Sequence, residues 1–305
     1  MKQFMPLFMI ILLFALMLCF PQATLIGASN GLLLWFQAIL PTLLPFMIVS
    51  NLLIRTNAID YISRPLSPVI QPLFKVSSPS CYAIIVGFLC GYPMGAKAIA
   101  DLTHTKRIST EEAQYLLSFC NNSSPMFILS YLVLQNFKNH SLSLPTLLIL
   151  LASPMICSFF FRKYHLKTSY KKNLSKPHSE RFKFQFQILD DCIMNGFEMI
   201  TKVGGYIILF SILFSLAGRI PYNWFLPLLE ISNGIPYLLH QELTFDFTYI
   251  LVLAATSFGG ICAILQTYSM IQNTGIRMFP YIIQKLITTA VTSLLAFIYV
   301  TFILR

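Results

Sequence analysis

Acidic side chains are scarce in this chain. Asp and Glu together number 11 in 305 residues, and charged residues of both signs make up 10%. A soluble domain carries about 25%. With 56% hydrophobic residues, there is too little polar surface to cover a water-soluble globule. That excludes an ordinary cytosolic enzyme, a disordered protein and a secreted disulfide scaffold. The seven cysteines stand singly, most of them in apolar runs, and no C-x-x-C occurs; they read as small buried hydrophobes kept reduced. The five histidines fall in polar connections without zinc spacing, so no metal site is expected. There is no G-x-S-x-G, no H-E-x-x-H and no pair of intramembrane carboxylates, and no enzymatic activity is expected.

What the chain has in quantity is long apolar runs: residues 4–20, 31–54, 81–102, 113–134, 144–161, 195–217, 248–270 and 281–304. Each reaches or approaches the roughly 20 residues that a bilayer requires. The expected class is all-α, a polytopic helical protein of the plasma membrane. Run 4–20 reads as a first transmembrane helix and not as a cleaved signal, because residues 21–30 lack a convincing small-x-small cleavage site. The formal charge of +10 reports orientation here and not nucleic-acid binding. Residues 162–183 hold Arg162, Lys163, Lys167, Lys171, Lys172, Lys176, Arg181 and Lys183 against Glu180 alone. By the positive-inside rule this loop is cytoplasmic, and the N-terminus with it; setting topology is the main role expected of it, ahead of binding lipid headgroups. Residues 136–143 and 218–246 are then external.

Two of the runs are interrupted. Gly91-Tyr92-Pro93-Met94-Gly95 breaks 81–102, and Ser257-Phe258-Gly259-Gly260 breaks 248–270. Backbone broken at membrane depth is tolerated only where it is buried in protein or lines a wet cavity. If 81–102 dips in and returns, Arg55, Arg64 and Lys75 stay on the cytoplasmic side, as the charge rule prefers. The halves are also weakly alike: 72–78 resembles 227–233, and each is followed by an interrupted run and then a helix with a polar middle. If both interrupted runs re-enter, the repeats are inverted, the pattern of a secondary transporter with a midplane site. An eight-span bundle packed through small residues is the plainer alternative. The expected organisation is an N-terminal helix and link (1–30), a first repeat with one connecting span (31–161), the basic loop (162–190) and a second repeat (191–305).

The stretch Gly91–Lys97 shares glycines and a lysine with a phosphate-binding P-loop. The lysine does not follow the glycine directly, no Ser/Thr comes after it and no strand precedes it, so nucleotide hydrolysis is rejected. Gly91, Tyr92, Pro93 and Gly95 instead end one half-helix and start another, whose free N–H groups together with Lys97 would attract an anion. Pairing of Lys97 with Asp101, four residues on, is the structural alternative. In 118–125 the amides of Asn121 and Asn122 and the hydroxyls of Ser123 and Ser124 fall in the middle of an apolar helix, where they are costly unless they face partners or water. Pro125 also frees the Asn121 carbonyl. In the second half Ser257, Gly259, Gly260 and Gln266 occupy the corresponding place, opposite Thr288, Thr289 and Thr292 in sequence order.

Together, Gly91-Tyr92-Pro93-x-Gly95-Ala96-Lys97 and Cys120-Asn121-Asn122-Ser123-x-Pro125 resemble the YlbJ-type sporulation integral membrane proteins of the nucleoside-recognition (Gate) group. The segments 32–46 and 204–211, and Ser257-Phe258-Gly259-Gly260 with Gln266, fit the same group, so the resemblance covers nearly the whole chain. Ser124 stands where a Gly is expected, and Ala263 where members often carry a polar residue. The resemblance implies a distant likeness to concentrative nucleoside transporters, with paired re-entrant hairpins. It also implies transport of dipicolinate, a small aromatic dicarboxylate, across the membrane around the forespore. The expected function is therefore transport of a small polar or anionic solute, with a nucleoside transporter or a non-transporting scaffold for spore or envelope assembly as alternatives. Expected partners are the lipid bilayer, the solute and a second copy of the chain, and no nucleic acid. No cofactor is called for; a coupling ion would be H+ or Na+.

Overall fold

The computed structural model describes residues 4–56, 58–165, 186–218 and 225–304, and every regular element among them is helical. The basic loop beyond 165 and Arg219 lie outside the described residues. Among the described residues, five helices are long and apolar enough to cross a membrane: Pro21–Arg55, His140–His165, Phe186–Ala217, Phe245–Met270 and Met278–Phe302. A sixth crossing would need the pair Ser63–Phe74 and Ser78–Cys90, which turns by 90°.

The first run forms the short apolar helix α1 (Phe4–Cys19). From Pro21, α2 (Pro21–Leu34) passes through a wide π turn at Trp35–Ile39 into α3 (Leu40–Arg55), ahead of the prolines at 41 and 45 that remove backbone donors. Residues 21–30 are thus part of one helix of 35 residues. They pack on α9 (Phe186–Ala217) so closely that a Cβ at Gly27 would lie 2.7 Å from the Ile212 Cα. The Trp35 indole N–H pins the same pair, donating to the Ile200 carbonyl at 2.9 Å.

After α4 (Ile59–Phe74) come α5 (Ser78–Cys90), α6 (Met94–His104) and α7 (Thr110–Leu117). The chain then unwinds before a π-helix, Phe127–Phe137, and α8 (Ser143–His165). Beyond α9 follow α10 (Leu226–Leu229), α11 (Ile231–Leu239), α12 (Phe245–Phe258), α13 (Gly260–Met270) and α14 (Met278–Phe302).

Cross-links between elements define two ends of the bundle. At the basic end Arg55 pairs with Asp191 at 2.9 Å, Arg162 donates to the Leu73 carbonyl at 3.2 Å, and the Arg277 N–H donates to Gln114 at 2.8 Å. At the opposite end Thr146 bonds Tyr249 at 2.9 Å and the Phe137 ring packs on Phe245 and Tyr249. The apolar core is correspondingly split. One cluster, around Tyr82, Ile99 and Leu116, lies toward the basic end; the other, around Ile128, Ile235 and Tyr249, lies toward the far end. The residues between them in the broken segments are the polar ones, 121–124 and 256–257.

Three sequence expectations need correction. Run 113–134 is not one helix: residues 118–124 are unwound. Run 248–270 does not fold back; it continues through its break as one span, Phe245–Met270. The fold-back of the second half lies earlier, at Glu230, where Gly234 is brought onto Pro227, its Cβ position 2.6 Å from the proline Cα. The described part of 218–246 is therefore no plain external loop, for Leu226, Glu230, Ile231 and Ile235 are buried in the bundle.

Candidate functional site

The site grows from a hairpin. Gly87 and Gly95 lie four residues to either side of Gly91, and a Cβ on Gly95 would stand 3.1 Å from the Gly87 Cα, so α6 folds back along α5. Between the two glycines sits the carbonyl of Cys120, 2.0 Å from the Cβ position of each. Gly91 makes the turn with φ +76°. The Tyr92 N–H then donates to the Asn122 carbonyl at 2.7 Å. The unwound segment 118–124 thus lies across the hairpin. It unwinds for local reasons. Pro125 has no N–H and disfavours helix in the residue before it. The Asn and Ser side chains compete for backbone groups: Asn122 donates to its own Phe119 carbonyl at 2.6 Å, and the Ser124 hydroxyl caps the next helix at the Phe127 N–H, 3.2 Å.

From this segment, bonds run to the second half. The Asn121 amide donates to the Thr267 hydroxyl at 2.8 Å and the Tyr281 hydroxyl at 2.9 Å, while its oxygen accepts from the Ala96 N–H at 3.2 Å. The Ser123 hydroxyl donates to the Thr256 carbonyl at 3.2 Å. The Lys285 ammonium donates to the Asn122 side-chain oxygen at 3.0 Å and the Ser257 carbonyl at 3.2 Å. Thr292 donates to the Ser257 hydroxyl at 2.9 Å. The Tyr92 ring reaches to 3.7 Å from the Cβ position of Gly259.

So Tyr92, Asn121, Asn122, Ser123, Ser257 and Gly259 meet in one joint. Gly91, Pro93 and Gly95 shape the hairpin beneath it. Gly260 packs instead on the Leu228 and Leu229 carbonyls, and Gln266 bonds Cys262 of its own helix at 3.1 Å. Lys285 and Tyr281 were missed by sequence reasoning. A lysine five residues into an apolar run is the one signal that could have found the first; Tyr281 carried none.

Two cavities flank the joint. One of about 390 Å³, at the basic end, is lined by Asn51, Lys97, Asp101, Asn195, Glu198 and Ser269 among others. The other, of about 560 Å³ at the far end, is lined by Asn30, Tyr131, Ser211, Ser232, Asn233 and Tyr237 among others. There Asn233 donates to Ser211 and to Glu230, both at 2.9 Å, and the Glu230 carboxylate caps α11 through the Ser232 and Asn233 N–H groups. Both cavities border α9. Lys202 bounds one and Ser211 the other, nine residues or about 13 Å apart along a helix. Asn121, Asn122 and Lys285 line neither of these two.

Lys97 lies in the basic-end vestibule and is ion-paired with Asp101. Its charge is matched by a neighbour one turn away, as in the structural alternative read from the sequence. Lys97→Ala leaves the partly buried Asp101 carboxylate without its partner and should therefore destabilise the protein more than the double change Lys97→Ala/Asp101→Ala. Melting temperatures of the two variants check this, and a lower-melting double variant would refute it.

Residues 36–137, from the π turn through α5, α6 and the unwound segment, match the family model for nucleoside recognition, Gate. The sporulation integral membrane protein YlbJ of Bacillus subtilis (strain 168) is 29% identical over 311 aligned residues, covering 88% of this chain and 75% of the relative. The chain is thus similar to YlbJ over most of its length and matches the Gate model in its first half. No solved structure matches it. The Gate region contains the whole first-half contribution to the joint, from Gly87 through Pro125. The second-half contribution, Thr256 through Thr292, falls beyond the Gate match.

Proposed function

We propose that the chain is a membrane transporter of a small polar or anionic solute. The observation that carries this reading is the pair of polar vestibules at opposite ends of the same helices, with a joint built of broken segments between them. Irregular backbone at membrane depth belongs where a solute path runs. The α5–α6 fold-back enters from the basic end, where α5 starts and α6 stops. The α10–α11 fold-back lies toward the opposite end. Each meets a broken span of its own half, 118–124 or Gly259–Gly260. That arrangement supports inverted repeats that rock against each other around the joint. By the positive-inside rule the basic end is cytoplasmic.

The Gate match and the YlbJ likeness support a transporter-like, sporulation-related role, and dipicolinate is the solute to offer first, with a nucleoside in parallel. Purified full-length protein in proteoliposomes should take up labelled dipicolinate saturably. Nucleoside uptake alone would keep the transporter and discard the anion. No uptake of either by folded protein would move the reading to a membrane scaffold. Alternating access has its own check. In a background without the native cysteines, Asn233→Cys and Ser269→Cys should react with an impermeant thiol reagent from opposite faces of the membrane. Labelling of both from one face would sink the two-vestibule arrangement.

A further inference from the structure

We propose that Lys285 is the carboxylate-recognising group of the joint, and that in the empty protein its ammonium latches the two halves together; this rests on the transporter reading above. Lys285 is 4% exposed and lies seven residues from the start of α14, about 10 Å along the helix. Of its three N–H groups, two are used, one on each half: the Asn122 side-chain oxygen at 3.0 Å and the Ser257 carbonyl at 3.2 Å. Both acceptors are neutral, and among the described residues no carboxylate is within ion-pair distance of it. The polar groups of its own helix face are also neutral: Thr288, Thr289, which donates to the Lys285 carbonyl, and Thr292. Glu230, the buried carboxylate, is taken up by the start of α11 and by Asn233. Lys97 and Lys202 each have an acidic partner one turn away.

A buried ammonium without a counter-ion is an incomplete ion pair. A carboxylate completes it. With two oxygens it can take both of the N–H groups now spent on Asn122 and Ser257. In doing so it releases the lysine's own bridge between segment 118–124 and the end of α12, leaving the Ser123 bond to the Thr256 carbonyl as the remaining tie there. Recognition and opening are then one event when the carboxylate takes both of these N–H groups, since a bond to the third alone would leave the latch closed. A neutral solute has no such advantage over the Asn122 and Ser257 oxygens, so the latch selects for negative charge.

The test compares pyridine-2,6-dicarboxylate with its neutral diamide on full-length protein in nanodiscs, alongside uptake in proteoliposomes. Wild type should bind the dicarboxylate at least about tenfold more tightly than the diamide. Lys285→Met should weaken dicarboxylate binding about 10- to 100-fold, the range for losing charge-assisted hydrogen bonds, and leave the diamide unchanged. Lys285→Arg should restore part of the preference. Should Lys285→Met not fold, the wild-type lysine can be tested in place. With Ser123→Cys and Thr256→Cys as a cross-linking pair, dicarboxylate should slow disulfide formation and diamide should not. Dicarboxylate binding or uptake unchanged in Lys285→Met, no dicarboxylate binding by folded wild type, or cross-linking indifferent to dicarboxylate would each overturn the assignment. Lysine-dependent binding without uptake would instead overturn the transporter reading and leave the assignment standing.

Discussion

Gly95→Ala and Gly87→Ala should each leave little folded protein in the membrane. In the native packing the Cys120 carbonyl oxygen stands 2.0 Å from where either new Cβ would be. A carbon and an oxygen in contact need more than 3 Å, so something must move by over an ångström. The obstacle is backbone, with no flexible side-chain tip to swing aside. On one side α5 and α6 are already in contact at Gly87 and Gly95; on the other, segment 118–124 is held by Asn121, Asn122 and Ser123 to both halves. Overpacking in a well-packed core costs typically about 1–3 kcal/mol, and a displacement of this size should reach the top of that range or exceed it. Gly205→Ala is the control. It lies in α9 with nothing within 4 Å of its Cβ position, and alanine in a helix should be neutral or stabilising by up to about 1 kcal/mol. Size-exclusion yield and melting temperature in detergent read all three. A Gly95→Ala protein melting with wild type would mean that the hairpin does not close on Cys120.

The second large effect is expected at Asn121. Asn121→Leu keeps the volume and removes one acceptor and two donors. Thr267 retains its bond to the Ala263 carbonyl at 2.7 Å, but the Ala96 N–H loses its side-chain acceptor and the Tyr281 hydroxyl keeps only Thr267. A buried polar group left unsatisfied costs about 1–3 kcal/mol, so the variant should lose about 3 kcal/mol and, with the halves no longer tied at this point, most of its uptake. The cause can be separated from simple damage by a cycle with Tyr281→Phe. Removing the hydroxyl as well takes away one of the two groups that lost a bond, so the double variant should be more stable than the sum of the singles by about 1 kcal/mol. Strict additivity would show that Asn121 and Tyr281 act independently, and that the 2.9 Å contact between them carries no weight.

Much of this protein was legible in the residues because the relevant forces are local. An apolar run of bilayer length declares itself by composition. A glycine with proline, or a pair of glycines, declares a break wherever it stands. The positions of the breaks near 91–95 and 257–260 could therefore be read directly, and so could the all-helical membrane class, whereas 118–125 read as the polar middle of a continuous helix and unwinds instead. The behaviour of the chain at each break was less legible. The dipeptide Gly259-Gly260 interrupts α12–α13 without reversing it, whereas Glu230, in a stretch that read as a loop, marks a reversal. Whether a break bends by a little or folds back depends on what packs against it, and for 226–239 that is Pro227 on Gly234.

What the sequence by itself determined is the solvent the protein lives in, the helices that this solvent demands and the places where those helices fail. Hydrocarbon imposes these through composition and backbone hydrogen bonding alone. Tertiary structure decided which failures meet and which charges remain unpaired. Lys97 and Lys285 are both lysines beside apolar helix; the sequence offers Asp101 to the first and no acid to the second, but it does not say what either meets across the bundle. The first is paired by Asp101 one turn away. The second meets Asn122 across 163 residues of sequence, with neutral oxygens on both sides. Only the folding of two distant breaks onto one another makes that ammonium a buried charge without a counter-ion, because pairing at that range is set by the packing of whole helices.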